Sequence, residues 1–324
     1  MGTIEEKLAY LSETKSQIRH AIEYSRVDDE LYQMMVMANF NGTETFRDFK
    51  NYINHINHGK LEPDGCMIYY DGINNYVPDK GPAKHDADQW QTWSNLMPNG
   101  TDAQIKGYAT FDDNSLTFSQ NGDGIYVPAN YLLHDNYNQF AIEMFCQVTE
   151  STGAKQKLLH WNDCVEVWAE EIDGVPKVNV STNWYEPGYN EYIVCNFGAI
   201  EIEYGKPFTV SFKCGYDGRY DEGSYSSINR QFDVFGSKNG HGGGSQYGVT
   251  VYSEFNPDAS GNFVIGYTDN GTDGTYVSDQ AKMKLYSFRF FNRWVNTDHY
   301  MHEYLMRRFG FQNELFSEGS FFIT

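Results

Sequence analysis

The chain has 324 residues, with 44 acidic against 24 basic side chains and a formal net charge of −20. A surface this acidic repels phosphate backbones and anionic membrane surfaces, so neither nucleic acid nor a membrane is an expected partner. The 25 Tyr, 22 Phe and 30 Gly favour strands and turns over helices.

The first residues, MGTIEEKLAYLSETKSQ, have no basic stretch followed by an apolar one, which predicts no secretory signal and synthesis in a cytoplasm. No run of about 18 apolar residues occurs anywhere, so no membrane insertion is expected. Thr3 and Glu6 make a capping box, and Ile4, Leu8, Leu11, Ile18 and Ile22 then repeat at spacings of three and four, interrupted at Lys15. This stripe predicts a helix over 3–26 that is marginal alone and buries its apolar side against copies of itself or a docking partner. A second, shorter helix is predicted over 43–56, where Phe46, Phe49, Tyr52, Ile53 and Ile56 share a face. The stretch 58–65 reads as a linker. The expected organisation is therefore a helical anchoring or oligomerisation segment over 1–60 and a β domain over 61–324.

From Cys66 onward the apolar pattern changes to period two. Strands are predicted around 67–70, 116–118, 140–148, 165–168, 178–180, 208–212, 232–235, 249–252, 263–266 and 283–291. Short alternating strands at this spacing predict a mainly β chain, an antiparallel β-sandwich with a short α-helical N-terminal segment. Trp93, Phe118, Trp161 and Trp168 stand in strand-like contexts and are expected in the core. The glycine-rich NGHGGGS at 239–245 reads as a mobile loop, and a last helix is expected over 298–308, ending at Gly310. The five cysteines, Cys66, Cys146, Cys164, Cys195 and Cys214, are odd in number, widely spaced and without a CxxC pair. They indicate neither a disulfide framework nor a zinc site and are expected as buried free thiols.

Five segments carry a family resemblance: MIYYDGINN (67–75), QTWSNLMPNGTDAQIKG (91–107), FDDNSLTFSQNGDGIYVP (111–128), QFAIEMFCQV (139–148) and KLYSFRFFNRWVNTDHYMHEYLMRRFGF (284–311). Together they resemble the concanavalin A-like lectin/glucanase superfamily in its laminin-G-like form, as carried by bacteriophage and prophage structural proteins. The resemblance implies a jelly-roll sandwich in a tail-, baseplate- or fibre-associated virion protein. Its implied location is the phage particle. Its implied partners are other virion proteins, further copies of itself in a homo-oligomer such as a trimer, and host-surface glycans. The alternative within the same superfamily is a carbohydrate-active enzyme that hydrolyses glycans.

Hydrolytic members place carboxylates on one strand in a pattern like E-x-D-x-x-E, where alternation points all of them into one cleft. Glu171-Ile172-Asp173 begins that pattern, but Gly174-Val175-Pro176 follows and Asp-Gly marks a hairpin turn; Glu201-Ile202-Glu203 is likewise incomplete. The chain is accordingly expected not to be an enzyme, and no cofactor is required. The run His160-Trp161-Asn162-Asp163-Cys164 reads as a strand end and turn, not a metal site. Laminin-G-like sandwiches often hold Ca²⁺ at the rim, which makes Asp71, Asp113, Asp123 and Asp273 the metal candidates, with Asp112 and Asp269 nearby in sequence. Glycan or partner contact calls for aromatic side chains amid polar ones. The loop 183–192 offers Trp184, Tyr185, Tyr189 and Tyr192, and the loop 216–225 offers Tyr216 and Tyr220.

Overall fold

A computed structural model describes residues 66–72, 76–77, 81–82, 92–93, 95, 97, 100–112, 114–128, 140–161, 164–186, 191–215, 228–238, 240–249, 254–255, 262–295 and 299–311. The helices expected over 3–26 and 43–56, with Ile4, Leu8, Leu11, Ile18 and Ile22, lie outside these residues. Gly65–His302 form one compact unit, and Glu303–Phe311 belong to a second.

In chain order the strands are β1 (Cys66–Asp71), β2 (Tyr76–Val77), β3 (Gly81–Pro82), β4 (Thr92–Trp93), β5 (Ala103–Lys106), β6 (Thr110–Phe111), β7 (Leu116–Phe118), β8 (Gly124–Val127), β9 (Phe140–Val148), β10 (Gln156–Trp161) and β11 (Val165–Ile172). They continue as β12 (Val175–Glu186), β13 (Glu191–Glu201), β14 (Phe208–Gly215), β15 (Ile228–Ser237), β16 (Gly240–Val249), β17 (Glu254–Phe255), β18 (Phe263–Ile265), β19 (Thr268–Asp269), β20 (Tyr276–Ser278) and β21 (Met283–Phe291). One sheet runs β16-β15-β14-β9-β21-β7-β6, with β1 also pairing β21; the other runs β13-β12-β11-β10-β18-β8-β5-β4, with β17 also pairing β12. Neighbours in both sheets are antiparallel, so the fold is the expected antiparallel β-sandwich.

The core lies between the sheets and is built by alternation. Ile142, Met144, Cys146 and Val148 of β9 and Val165, Val167 and Ala169 of β11 point inward and are buried. Trp161 is wholly buried beside Phe140 and Phe290, with ring centroids at 5.6 and 5.5 Å. Trp93 is equally buried and meets Phe111 edge-on at 5.3 Å. Each such aromatic contact adds about 0.5–1.5 kcal/mol beyond the area it buries. All five cysteines are free; four are buried and Cys195 is half-buried. Burial pushes the Cys146 and Cys214 thiols above their ordinary range.

Turn chemistry fixes the register of β11 and β12. Asp173 and Gly174 both take positive φ, at 55° and 75°, which is the two-residue hairpin turn that Asp-Gly favours. The glycine run expected as a loop is instead strand β16, paired with β15. A Cβ on Gly242 would lie 2.3 Å from Ile200 Cγ2, and one on Gly243 would lie 2.5 Å from Asp233 Oδ1. The glycines therefore admit neighbouring side chains and need not signal mobility.

The last helix, α1, spans His299–Arg308. It closes with Gly310 at φ +85°, and the amides of Gly310 and Phe311 donate to the carbonyls of Arg307 and Met306, a Schellman cap. Among the described residues no helix is long and apolar enough to cross a membrane.

Candidate functional site on the outer face of the nine-stranded sheet

Alternation along β11 places Val165, Val167 and Ala169 in the core and leaves Glu166, Trp168 and Glu170 half-buried on the outer face. Register brings further side chains alongside. A bulge in β10 between Lys157 and Leu159 sets Lys157 opposite Trp168 and His160 opposite Glu166. On the other flank, β12 sets Ser181 opposite Glu166, Asn179 opposite Trp168 and Lys177 opposite Glu170. Three cross-strand rows result, with the indole in the middle one.

Lys157, Glu166, His160 and Asp269 on this face are linked side chain to side chain. Lys157 Nζ lies 2.8 Å from Glu166 Oε2, with the lysine buried and the glutamate partly open to solvent. Glu166 Oε1 lies 3.6 Å from His160 Nε2, and His160 Nδ1 lies 2.7 Å from Asp269 Oδ1. Trp168 Nε1–H donates to Glu170 Oε1 at 2.8 Å, and Asn179 Nδ2 donates to the same oxygen at 3.2 Å. The ammonium groups of Lys155 and Lys157 lie 4.2 and 5.6 Å from the centre of the Trp168 ring, within cation–π range. The result is an aromatic ring fixed by its N–H and bordered by ammonium, carboxylate and amide groups. Such groups can hydrogen-bond hydroxyls while the ring packs against an apolar surface.

The hairpin of β19 and β20 shields the neighbouring part of this face. Tyr267 OH donates to Gly274 O at 2.6 Å, and Tyr126 OH donates to Thr272 O at 3.1 Å. Burial, helped by Asp269 and Asp273, pushes the Tyr267 hydroxyl above its ordinary range. The outer face of the other sheet carries a buried polar row, although Gln147, Gln231 and Lys284 on it are half-buried. Tyr69, Arg289, Glu143, Ser211 and Asp233 form one register row across it, and all five are buried. Glu143 and Arg289 pair there at 2.5 Å, and Lys213 and Asp233 at 3.7 Å.

Several expectations change. Trp161 is core, but Trp168 is not: it shares parity with Glu166 and Glu170, not with the valines between them. The stretch 183–192 is not simply a loop, because Trp184 and Tyr185 lie in β12 and Tyr192 in β13, with Tyr185 opposite Tyr192. Tyr189, Tyr216, Tyr220 and Asp113 lie outside the described residues. The other metal candidates serve turns and strands. Asp71 is buried and accepts from Tyr69 OH at 2.7 Å. Asp123 accepts from the amides of Tyr108, Ser119 and Gln120 at 2.6–2.9 Å. Asp273 accepts from the Thr275 amide and hydroxyl. Among the described residues no three His, Cys, Asp or Glu side chains converge as a metal site would require. The sequence reading missed the array around Trp168, although the alternation Val-Glu-Val-Trp-Ala-Glu already grouped the indole with the glutamates.

No family model matches the chain, and no curated protein matches it. Solved structures do. Trypanosoma rangeli sialidase in complex with sialic acid is 14% identical over 75% of this chain and 33% of its own, with a TM-score of 0.44. The same enzyme with 2,3-difluorosialic acid, as a covalent intermediate, is 15% identical over 80% of this chain and 38% of its own, with a TM-score of 0.41. The carbohydrate-binding module CBM40 of Ruminococcus gnavus IT-sialidase, bound to α2,3 sialyllactose, is 12% identical over 57% of this chain and 92% of its own, with a TM-score of 0.36. The chain thus spans about a third of the sialidase chains it matches.

The expectation that the chain is not an enzyme is corrected by these likenesses, since they include glycoside hydrolases. The incomplete pattern at Glu171-Ile172-Asp173 excludes one arrangement of carboxylates and not glycan chemistry in general.

Proposed function

We propose that the chain is a glycan-recognising β-sandwich protein that takes its ligand on the outer face of the nine-stranded sheet, around Trp168. The observation that carries this reading is the fixed, half-buried indole among Lys155, Lys157, Glu166, Glu170 and Asn179. A sugar offers an apolar C–H face to such a ring and hydroxyls to the groups around it. A glycan array probed with purified protein tests the reading, and chromatography of the same mixtures for released sugars distinguishes retention from cleavage. Retention of no glycan, with no sugar released, would remove the proposal.

The finer reading, a virion structural protein mounted by its N-terminal segment among other virion proteins or copies of itself, rests on the sequence resemblance and on the stripe from Ile4 to Ile22. Mass spectrometry of purified phage particles tests it; a chain never found in particles is not a virion component.

A further inference from the structure

The geometry points to a second saccharide subsite, at the rim of the sandwich where the turn after β5 meets the turn before β8 and strand β20. It rests on the glycan reading above and adds a separate contact point, away from Trp168, for an uncharged pyranose ring.

Tyr108 is 74% exposed, the largest exposure of any bulky apolar or aromatic side chain among the described residues. Its backbone is nevertheless held firmly. Its amide donates to Asp123 Oδ1 at 2.6 Å, and Asp123 is wholly buried with its other oxygen taken by the amides of Ser119 and Gln120. Gly107 before it adopts φ +68°, where a Cβ would meet Asp123 Oδ1 and Gly122 O at 2.6 Å. The second turn is pinned as well: the Gly122 amide donates to Gln280 Oε1 at 2.7 Å, and Gln280 Nε2 donates to Asp123 O at 2.9 Å. The aromatic side chain is thus presented to solvent from a rigid base, so little conformational freedom remains to be lost on binding.

Gly122 lies beside this turn, and a Cβ there would meet only Tyr276 Cβ, at 3.8 Å. The half-buried Tyr276 ring is set edge-on against Tyr267 at 5.6 Å. Gln120 and Asn121, both exposed, border the same turn. A Cβ on Gly107, just before Tyr108, would meet Gly122 O, and Tyr276 Cβ lies 3.8 Å from a Cβ on Gly122, so both tyrosines leave the backbone near Gly122, with the exposed Gln120 and Asn121 next to it in sequence. That combination matches a pyranose, which needs an apolar surface for its C–H face and neutral donors and acceptors for its hydroxyls.

The test is saturation-transfer NMR on the full chain with lactose, maltose and N-acetylglucosamine as probes, applied to wild type, Tyr108→Ala, Tyr108→Phe and Trp168→Ala. The proposal expects at least one probe to bind wild type and Trp168→Ala. It expects about tenfold weaker binding by Tyr108→Ala and retention by Tyr108→Phe, which keeps the ring. Tyr108 is exposed and its hydrogen bond uses the backbone amide, so the alanine variant keeps the fold. Binding unchanged in Tyr108→Ala but lost in Trp168→Ala would overturn the rim subsite and leave the glycan reading standing. Binding of no probe by wild type, with an empty glycan array, would overturn both.

Discussion

Trp168 and Lys157 stand opposite each other across the β10–β11 pair, and the lysine ammonium lies 5.6 Å from the centre of the indole. The same ammonium is 2.8 Å from Glu166. One lysine therefore ties the aromatic ring to the chain of polar contacts that runs through Glu166 and His160 to Asp269.

The two tryptophans near this strand pair should behave differently. Trp161→Ala removes a wholly buried ring and is expected to destabilise the fold by about 3–5 kcal/mol. Trp168→Ala, on the outer face, is expected to cost about 1 kcal/mol or less. Urea denaturation of both variants checks the contrast.

His160 and Asp269 fasten the β19–β20 hairpin to β10. Asp269→Ala removes the carboxylate beside the buried imidazole, leaves its Nδ1 only the Asp269 backbone amide at 3.3 Å, and is expected to cost about 1–3 kcal/mol. Amide hydrogen exchange should show faster exchange at 268–278 while β9 and β21 keep their protection. Unchanged exchange in the hairpin would mean that the pair does not hold it.

The glycines of β16 make a steric prediction. Gly242→Ala forces a methyl against Ile200 Cγ2, an overpacking expected to cost about 1–3 kcal/mol. Ile200→Ala in the same chain should recover part of that loss, because it vacates the contested space. Paired denaturation curves measure the coupling.

Asp112 supplies a pH dependence. Burial works to raise its carboxyl, but hydrogen bonds from Lys284, Ser115 and the Asn114 amide outweigh it and hold the group below its ordinary value of 3.8. A carboxylate depressed on folding stabilises the protein above its unfolded value, and that contribution fades as pH falls through the lower folded value. Asp112→Asn should therefore lower the thermal midpoint at neutral pH by more than at acid pH. The two melting curves should converge below the ordinary carboxylate range. The group is partly solvent-exposed, so the effect is small.

The strands were largely legible in the sequence because alternation is a local signal. The expected boundaries of 116–118, 140–148 and 283–291 coincide with β7, β9 and β21. The Asp173-Gly174 turn was legible for the same reason. The strand character of Gly240–Val249 was not, because its glycines make room for Ile200, which is distant in sequence, and for Asp233 across the hairpin, and glycines themselves carry no alternation. Nor was the candidate site. It depends on a bulge in β10 and on a histidine meeting an aspartate 109 residues away, and neither leaves a local pattern. Trp168 was the exception, since its parity with Glu166 and Glu170 lay in plain view.

Glycan recognition at Trp168 is tested by calorimetric titration of the best array glycan into wild type and Trp168→Ala, with thermal melts run alongside. Wild type is expected to give a binding isotherm that is lost or weakened about tenfold or more in Trp168→Ala, at nearly the same melting temperature. Equal affinity in the two proteins, or no affinity in either, would contradict it.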